Sequence, residues 1–265
     1  MNNFVANIYQ PDKDIFGEPQ EYKGIKFYPI KINQIKLKKL LYKLFFQPKN
    51  YIPQREILKM SYFKFIIYVI QGNLGDNASN DLIELISGIT KIDKEKISIK
   101  PTEHPENVEL FDKIMLHLYI DGIEFNELEF DNLREILIEQ NGSSIEWVES
   151  FDVSLEQKMD FMNRGSSNID LKDEIFSFCA ITKMSEVEAG EKTLYQFKNR
   201  LEREMMMKDY DNFKIAELTG EVKSKSGGEI FKHYLSHIPK TNRYDTILIN
   251  ENTFLEQSGF DKPTE

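Results

Sequence analysis

A helix-dominated α+β fold, with small antiparallel sheets near the N-terminus, in the middle and near the C-terminus, follows from three features of this 265-residue sequence. Apolar residues recur at offsets of three and four in several long stretches, the mark of helices with one buried face. Short runs of alternating or β-rich residues flank the compact pairs Lys23-Gly24 and Asp121-Gly122, the mark of tight hairpins. An apolar content of 40% is enough for a sizeable core without staples.

In chain order, residues 1 to 30 read as short strands, with Ile8-Tyr9 ahead of Pro11 and a hairpin formed by Glu21-Tyr22 and Ile25 to Tyr28. From Ile32, the positions Ile35, Leu37, Leu40, Leu41, Leu44 and Phe45 predict a helix whose other face carries Lys31, Lys36, Lys38, Lys39 and Lys43. Residues 54 to 71 predict a further helix through Ile57, Leu58, Met60, Phe63, Phe65 and Ile67. The glycine- and asparagine-rich stretch Gln71 to Asn80 marks a boundary, followed by a short helix from Asp81 to Ser87. Lys96 to Lys100 alternates as a strand that Pro101 to Pro105 interrupts; Ile114 to Ile120 is a buried strand and Ile123 to Phe125 its return. Asp131 is placed to cap a helix through Leu133, Ile136 and Leu137, with Asn141-Gly142 as a left-handed stop.

Two short helices are expected over residues 144 to 165. A helical hairpin is expected over Asn168 to Phe213, its first stripe being Leu171, Ile175, Phe178, Cys179 and Thr182. The second stripe is Leu194, Phe197, Leu201 and Met205, opened by a capping box between Thr193 and Gln196. Glu217 to Lys225 and Glu229 to Leu235 around Ser226-Gly227-Gly228 predict a last hairpin, and Tyr244 to Ile249 a last strand. The punctuation divides the chain into residues 1–72, 73–142 and 143–265, the first a basic region, the second a small α/β region, and the third the helical hairpin with its C-terminal strands.

Residues 1 to 70 hold 12 Lys and Arg against 5 Asp and Glu, whereas the remainder holds 22 against 39. Opposite charges along one chain favour attraction within the monomer, head-to-tail self-association, or a basic face meeting an acidic partner. The overall acidity weighs against nucleic acid as the partner. The longest early apolar run, Phe65 to Ile70, is too short to cross a bilayer, and the first twenty residues lack a signal-peptide pattern, so a cytoplasmic protein with no membrane partner is expected.

No constellation points clearly to a reaction. The lone Cys179 lies on an apolar helix stripe and reads as a small core residue. His233 and His237 are spaced for metal on one helix face, but Tyr234 stands where a metalloprotease helix needs glutamate, and the neighbouring turn predicts a strand, so no metal and no cofactor is expected. Asp209, Asp211, Glu221 and Lys223 give a short acid, then acid-x-lysine pattern that a Mg²⁺-dependent nuclease would use; it is the alternative from the enzyme class. A nucleic-acid-binding module using the basic segment is another.

The stretch Glu21 to Ile30, the segment Lys59-Met60-Ser61-Tyr62-Phe63, and the acidic-capped helix from Asp170 followed by one opening at Thr193 with Phe197 together resemble tail assembly chaperones of phages and prophages of Gram-positive bacteria. The hairpin at Asp121 and the basic helix lie outside the resemblance. It implies a non-catalytic phage tail morphogenesis protein working through protein contacts, with tube, tape-measure or baseplate proteins as partners and self-association as a possibility. A structural tail or baseplate component is the variant of the same reading. It implies the host cytoplasm, or the tail of the virion, as the location. The contact residues expected on these grounds are Lys36, Lys38, Lys39, Lys43, Tyr195, Lys198 and Arg203.

Overall fold

The computed structural model describes residues 8–47, 49, 55–70, 77–103, 114–143, 171–219, 233 and 235. Within them the chain is helix-rich, with one two-stranded and one three-stranded antiparallel sheet, an α+β architecture.

Ahead of the first hairpin stands a helix rather than a strand: α1, Pro11–Phe16, with proline in its first turn, where a missing N–H costs nothing. Strands β1, Gln20–Tyr22, and β2, Ile25–Phe27, follow, joined by Lys23 and Gly24, which both adopt positive φ as the tight turn requires. The basic helix α2 runs Ile35–Phe45. The single helix expected over 54–71 is broken into α3, Arg55–Lys59, then α4, Tyr62–Lys64, which passes into a wide π-helical turn over Phe65–Ile70. The break has a physical cause. Ser61 Oγ accepts from Lys64 N at 3.2 Å, and the Asp131 carboxylate accepts from Tyr62 N at 3.0 Å and Phe63 N at 3.2 Å, so the second segment starts afresh with its own caps. The five-residue winding of the π turn stacks Phe65 and Ile70 on one buried side.

Helix α5 covers Ala78–Thr90, longer at both ends than its apolar spacing indicates, because Asn77 caps its start and Lys91 closes its end in the left-handed conformation. The middle sheet is β3, Ile97–Glu103, paired with β4, Ile114–Ile120, which pairs with β5, Ile123–Phe125. Pro101 does not interrupt β3; it sits opposite Leu116 in an edge strand, the place where a missing backbone donor is tolerated.

Helix α6, Glu127–Gln140, is the centre of the molecule. Its start is a capping box between Asn126 and Glu129, so Asp131 does not cap it. Asp131 lies inside the helix, free to cap α4. Around α6 the aromatics interlock: Phe130 stacks on Phe63 at 4.2 Å between ring centroids and meets Phe45 edge-on at 6.1 Å, while Phe125 meets Phe27 and Tyr22 edge-on. Gly142 ends the helix at φ +67°, as expected; a Cβ there would also lie 2.9 Å from Tyr195 Cα.

The helical hairpin is present, but its connector holds a helix. Helix α7, Leu171–Thr182, is followed by α8, Glu186–Gly190, capped by Ser185 and Glu188, and then by α9, Leu194–Leu218. The capping box of Thr193 and Gln196 is formed at 3.1 Å in both directions. Phe178 and Phe197 pack at 4.8 Å where α7 and α9 meet. The strand expected from Glu217 is not there: Glu217 and Leu218 belong to α9. The two helices at 144–165, the strand at 244–249 and the C-terminal hairpin beyond Thr219 lie outside the described residues, apart from His233 and Leu235, neither of which is in a strand. The hairpin is tied to the N-terminal region through backbone bonds from Ile32 to Lys192, from Asn33 to Gly190 and from Leu194 to Ile30. One buried core runs from Tyr22 through Leu85 and Leu133 to Phe197, so the stretches 1–72, 73–142 and 143–265 share it.

Two carboxyls in this framework are raised from 3.8 to about 6. Burial does so for Asp14 against hydrogen bonds from Tyr9 and Gln20, and for Asp131 against the Tyr62 and Phe63 amides and the Arg134 charge. A raised acid binds its proton more tightly when folded. Its contribution is full below about pH 3.8 and is lost as the pH rises towards 6. Asp14→Asn is therefore expected to gain stability relative to the parent between pH 4 and 7, measured as the difference in urea midpoints. Arg134→Met, which leaves the Phe45 carbonyl without its donors, is expected to cost about 2–3 kcal/mol by the same assay.

Candidate functional site

The lysine face of α2 is divided between an internal and an external role. Lys36 pairs with Glu84 of α5, and Lys43 Nζ lies 2.9 Å from Asp81 of the same helix. Lys38 is half-buried, 5.9 Å from the Tyr42 ring centroid, while Lys39 is exposed. The neighbouring Lys31 pairs with Glu191 at 2.6 Å, ahead of α9. The sequence therefore placed four lysines on one contact surface, and the fold turns two of them towards its own acidic helix. Charge asymmetry along the chain is in part closed within the monomer.

Lys198 is the best-determined of the expected contact residues, and it is held inside. Its Nζ donates to Ser143 Oγ at 2.7 Å, to Tyr42 OH at 2.9 Å and to the Gly142 carbonyl at 3.2 Å. A cation at the carboxyl end of α6 faces the negative end of the helix dipole and covers a carbonyl left over by the helix. Tyr42 answers to the same charge. Burial raises its hydroxyl, but Lys198, Ser143 and Lys38 together bring it below the ordinary 10.0. Lys38 is lowered by burial first, and by Lys198, against Tyr42 and Glu174. Tyr195 is half-buried and raised by burial and by the carboxylates Asp14, Glu139 and Asp12. Arg203 is partly buried on α9.

Helix α9 changes character along its length. Leu194 and Phe197 are buried, Leu201 is partly buried, and then cover is lost: Met205 is 54% exposed, Ile215 60% and Leu218 87%. Leu194, Phe197, Leu201 and Met205 follow one another at helical spacing, and Ile215 falls on the same stripe at 3.6 residues per turn. Lys208 and Asn212 interrupt the apolar stripe on that side, and Ile215 returns to it beyond the core.

Other candidates separate. Asp209 and Asp211 are exposed on α9, and a two-residue offset turns them to different sides of a helix. Glu221 and Lys223 lie outside the described residues, as does His237; the His233 ring packs 5.0 Å from that of Tyr210. Among the described residues no three His, Cys, Asp or Glu side chains are grouped to hold a metal ion. Cys179 is buried and its thiol is raised by burial and by Glu186, which opposes a nucleophilic role. Tyr42 and Ser143 were not visible as partners of Lys198, because neither has a motif and their meeting depends on where α6 ends. His117, distant in sequence from the His233 and His237 pair, is flanked across the middle sheet by Thr102 and Glu124.

No protein-family model, curated protein or solved structure matched this chain.

Lys198→Met is expected to raise the Tyr42 hydroxyl relative to the parent, since the charge and hydrogen bond that most lower it are removed while burial, Ser143 and Lys38 remain. Alkaline absorbance titration, with Tyr42→Phe as the reference that isolates this hydroxyl, measures the change.

Proposed function

We propose that this chain is a phage tail morphogenesis protein that acts through protein contacts, in the manner of tail assembly chaperones. The observation that carries the reading is the outer half of α9, where the large apolar side chains of Met205, Ile215 and Leu218 stand in solvent beyond the anchored stripe. An assembly factor covers apolar or edge surfaces of a partner until that partner assembles, and a projecting amphipathic helix is suited to that work. The resemblance over Glu21 to Ile30, Lys59 to Phe63, Asp170 to Ile181 and Thr193 to Phe197 supports the choice of tail proteins as the partners. No helix among the described residues is long and apolar enough to cross a membrane, consistent with work in the host cytoplasm.

Exposed Lys39 adds a charge that steers encounter, while Lys198 serves the surface indirectly by fixing α9 against α6. The partner is a tube, tape-measure or baseplate protein.

Co-expression with the tail proteins of the same gene cluster, followed by native mass spectrometry, tests the reading. A defined complex that is missing from finished particles is the expected result; the same complex retained in particles makes the protein a structural tail component, and no complex with any tail protein overturns the proposal. The triple variant Met205→Ser, Ile215→Ser, Leu218→Ser is expected to lose that complex while its Tm stays within about 2 °C of the parent, because exposed positions carry little folding energy.

A further inference from the structure

We propose that Thr102 is an activated nucleophile that accepts an acyl group from an activated carboxylic ester, through a hydroxyl–imidazole–carboxylate relay built across the middle sheet. The relay is carried by geometry that the tail reading does not use. The pairs Lys100 with His117, Thr102 with Met115, and Tyr119 with Glu124 stand opposite one another, which places Thr102, His117 and Glu124 on one face of the sheet. Leu116, Leu118 and Ile120 take the other face into the core and so hold the face rigid.

Thr102 Oγ1 lies 2.7 Å from His117 Nε2, and His117 Nδ1 lies 2.5 Å from Glu124 Oε1. An ionised carboxylate can only accept, so Nδ1 of the neutral ring carries the hydrogen. Nε2 then presents its lone pair, and the Thr102 hydroxyl donates to it. One tautomer satisfies both contacts, and it is the one a general base needs. His117 is buried, whereas Thr102 and Glu124 are exposed, so the hydroxyl is reachable and the base is shielded. Among the described residues β3 is paired on one side only, which leaves Thr102 on the open edge of the sheet.

In the transfer, Thr102 Oγ1 forms a bond to the ester carbonyl carbon as its proton passes to His117 Nε2. The tetrahedral adduct collapses with cleavage of the ester C–O bond, and the proton on Nε2 goes to the departing alcohol. The products are an O-acyl threonine and a free alcohol. His117 ends neutral, Glu124 remains ionised and holds the ring, and no electron is transferred.

The test is incubation of the full chain with p-nitrophenyl acetate, followed by peptide mass spectrometry of the segment holding Thr102. The expected result is a hydroxylamine-labile acetyl ester on Thr102, absent in Thr102→Val and formed about 100-fold more slowly in His117→Gln. If His117→Gln unfolds, Glu124→Gln at the exposed end of the relay takes its place, with a loss of about tenfold or more expected. No acetyl ester on Thr102, or one formed as fast without His117 or Glu124, overturns the proposal. A purely structural cross-strand network would change the unfolding midpoint in these variants and leave no ester.

Discussion

The structure depends on the polar side chains that α6 carries into the core. Arg134 donates to the Phe45 carbonyl from Nε at 3.1 Å and from an Nη at 2.7 Å, and its guanidinium lies 3.3 Å from the Tyr62 ring centroid. Asp131 accepts the first amides of α4, Gln140 donates to the Phe27 carbonyl, and Asn141 accepts from Ile30 N at 2.9 Å. Each of these bonds closes the end of a different segment: a helix end, a helix start, a strand end and the strap beyond it. A buried backbone group left unpaired costs about 1–3 kcal/mol, so one helix that satisfies several of them determines where those segments stop. The stacked rings of Phe63 and Phe130 occupy the space between these bonds, and the two kinds of contact are mutually dependent.

From that centre the positions of the contact surfaces follow. Because α6 ends at Gly142 in close contact with Tyr195, the start of α9 is placed against it, and Lys198 locks the junction. The backbone bonds between residues 30–33 and 190–194 secure the same junction from the other side. With its base held in this way, α9 extends past the core, where the side chains of Met205, Ile215 and Leu218 stand uncovered. The paired lysines of α2 illustrate the converse. A residue that is surface by sequence becomes part of the scaffold when an acidic helix lies beside it, and exposed pairs of this kind add little stability while orienting the two helices.

The elements most legible in the sequence were those with strong local signals. The hairpins at Lys23-Gly24 and Asp121-Gly122, the helix stop at Gly142, and the box of Thr193 and Gln196 each depend on residues within a few positions of one another. Elements were misread where a distant residue decides the outcome. Asp131 looks like the cap of its own helix and caps α4 instead, so the break at Ser61 was invisible from either side. Pro101 reads as an interruption until β3 is known to be an edge strand. The same holds for the site residues: the relay of Thr102, His117 and Glu124 needs the strand register, and the role of Lys198 needs the end of α6.

By itself, the sequence determined a helix-rich α+β chain, its local turns and caps, its opposed charges and the two apolar stripes of the hairpin, because periodicity and turn chemistry act over a few residues. Tertiary structure alone decided which polar groups close which segment ends, which lysines face inward, and how far the core covers α9. Those outcomes depend on desolvation and on contacts between residues as much as 181 positions apart, as in the bond from Gln196 to the Ile15 carbonyl. No short window of sequence contains both partners of such a contact.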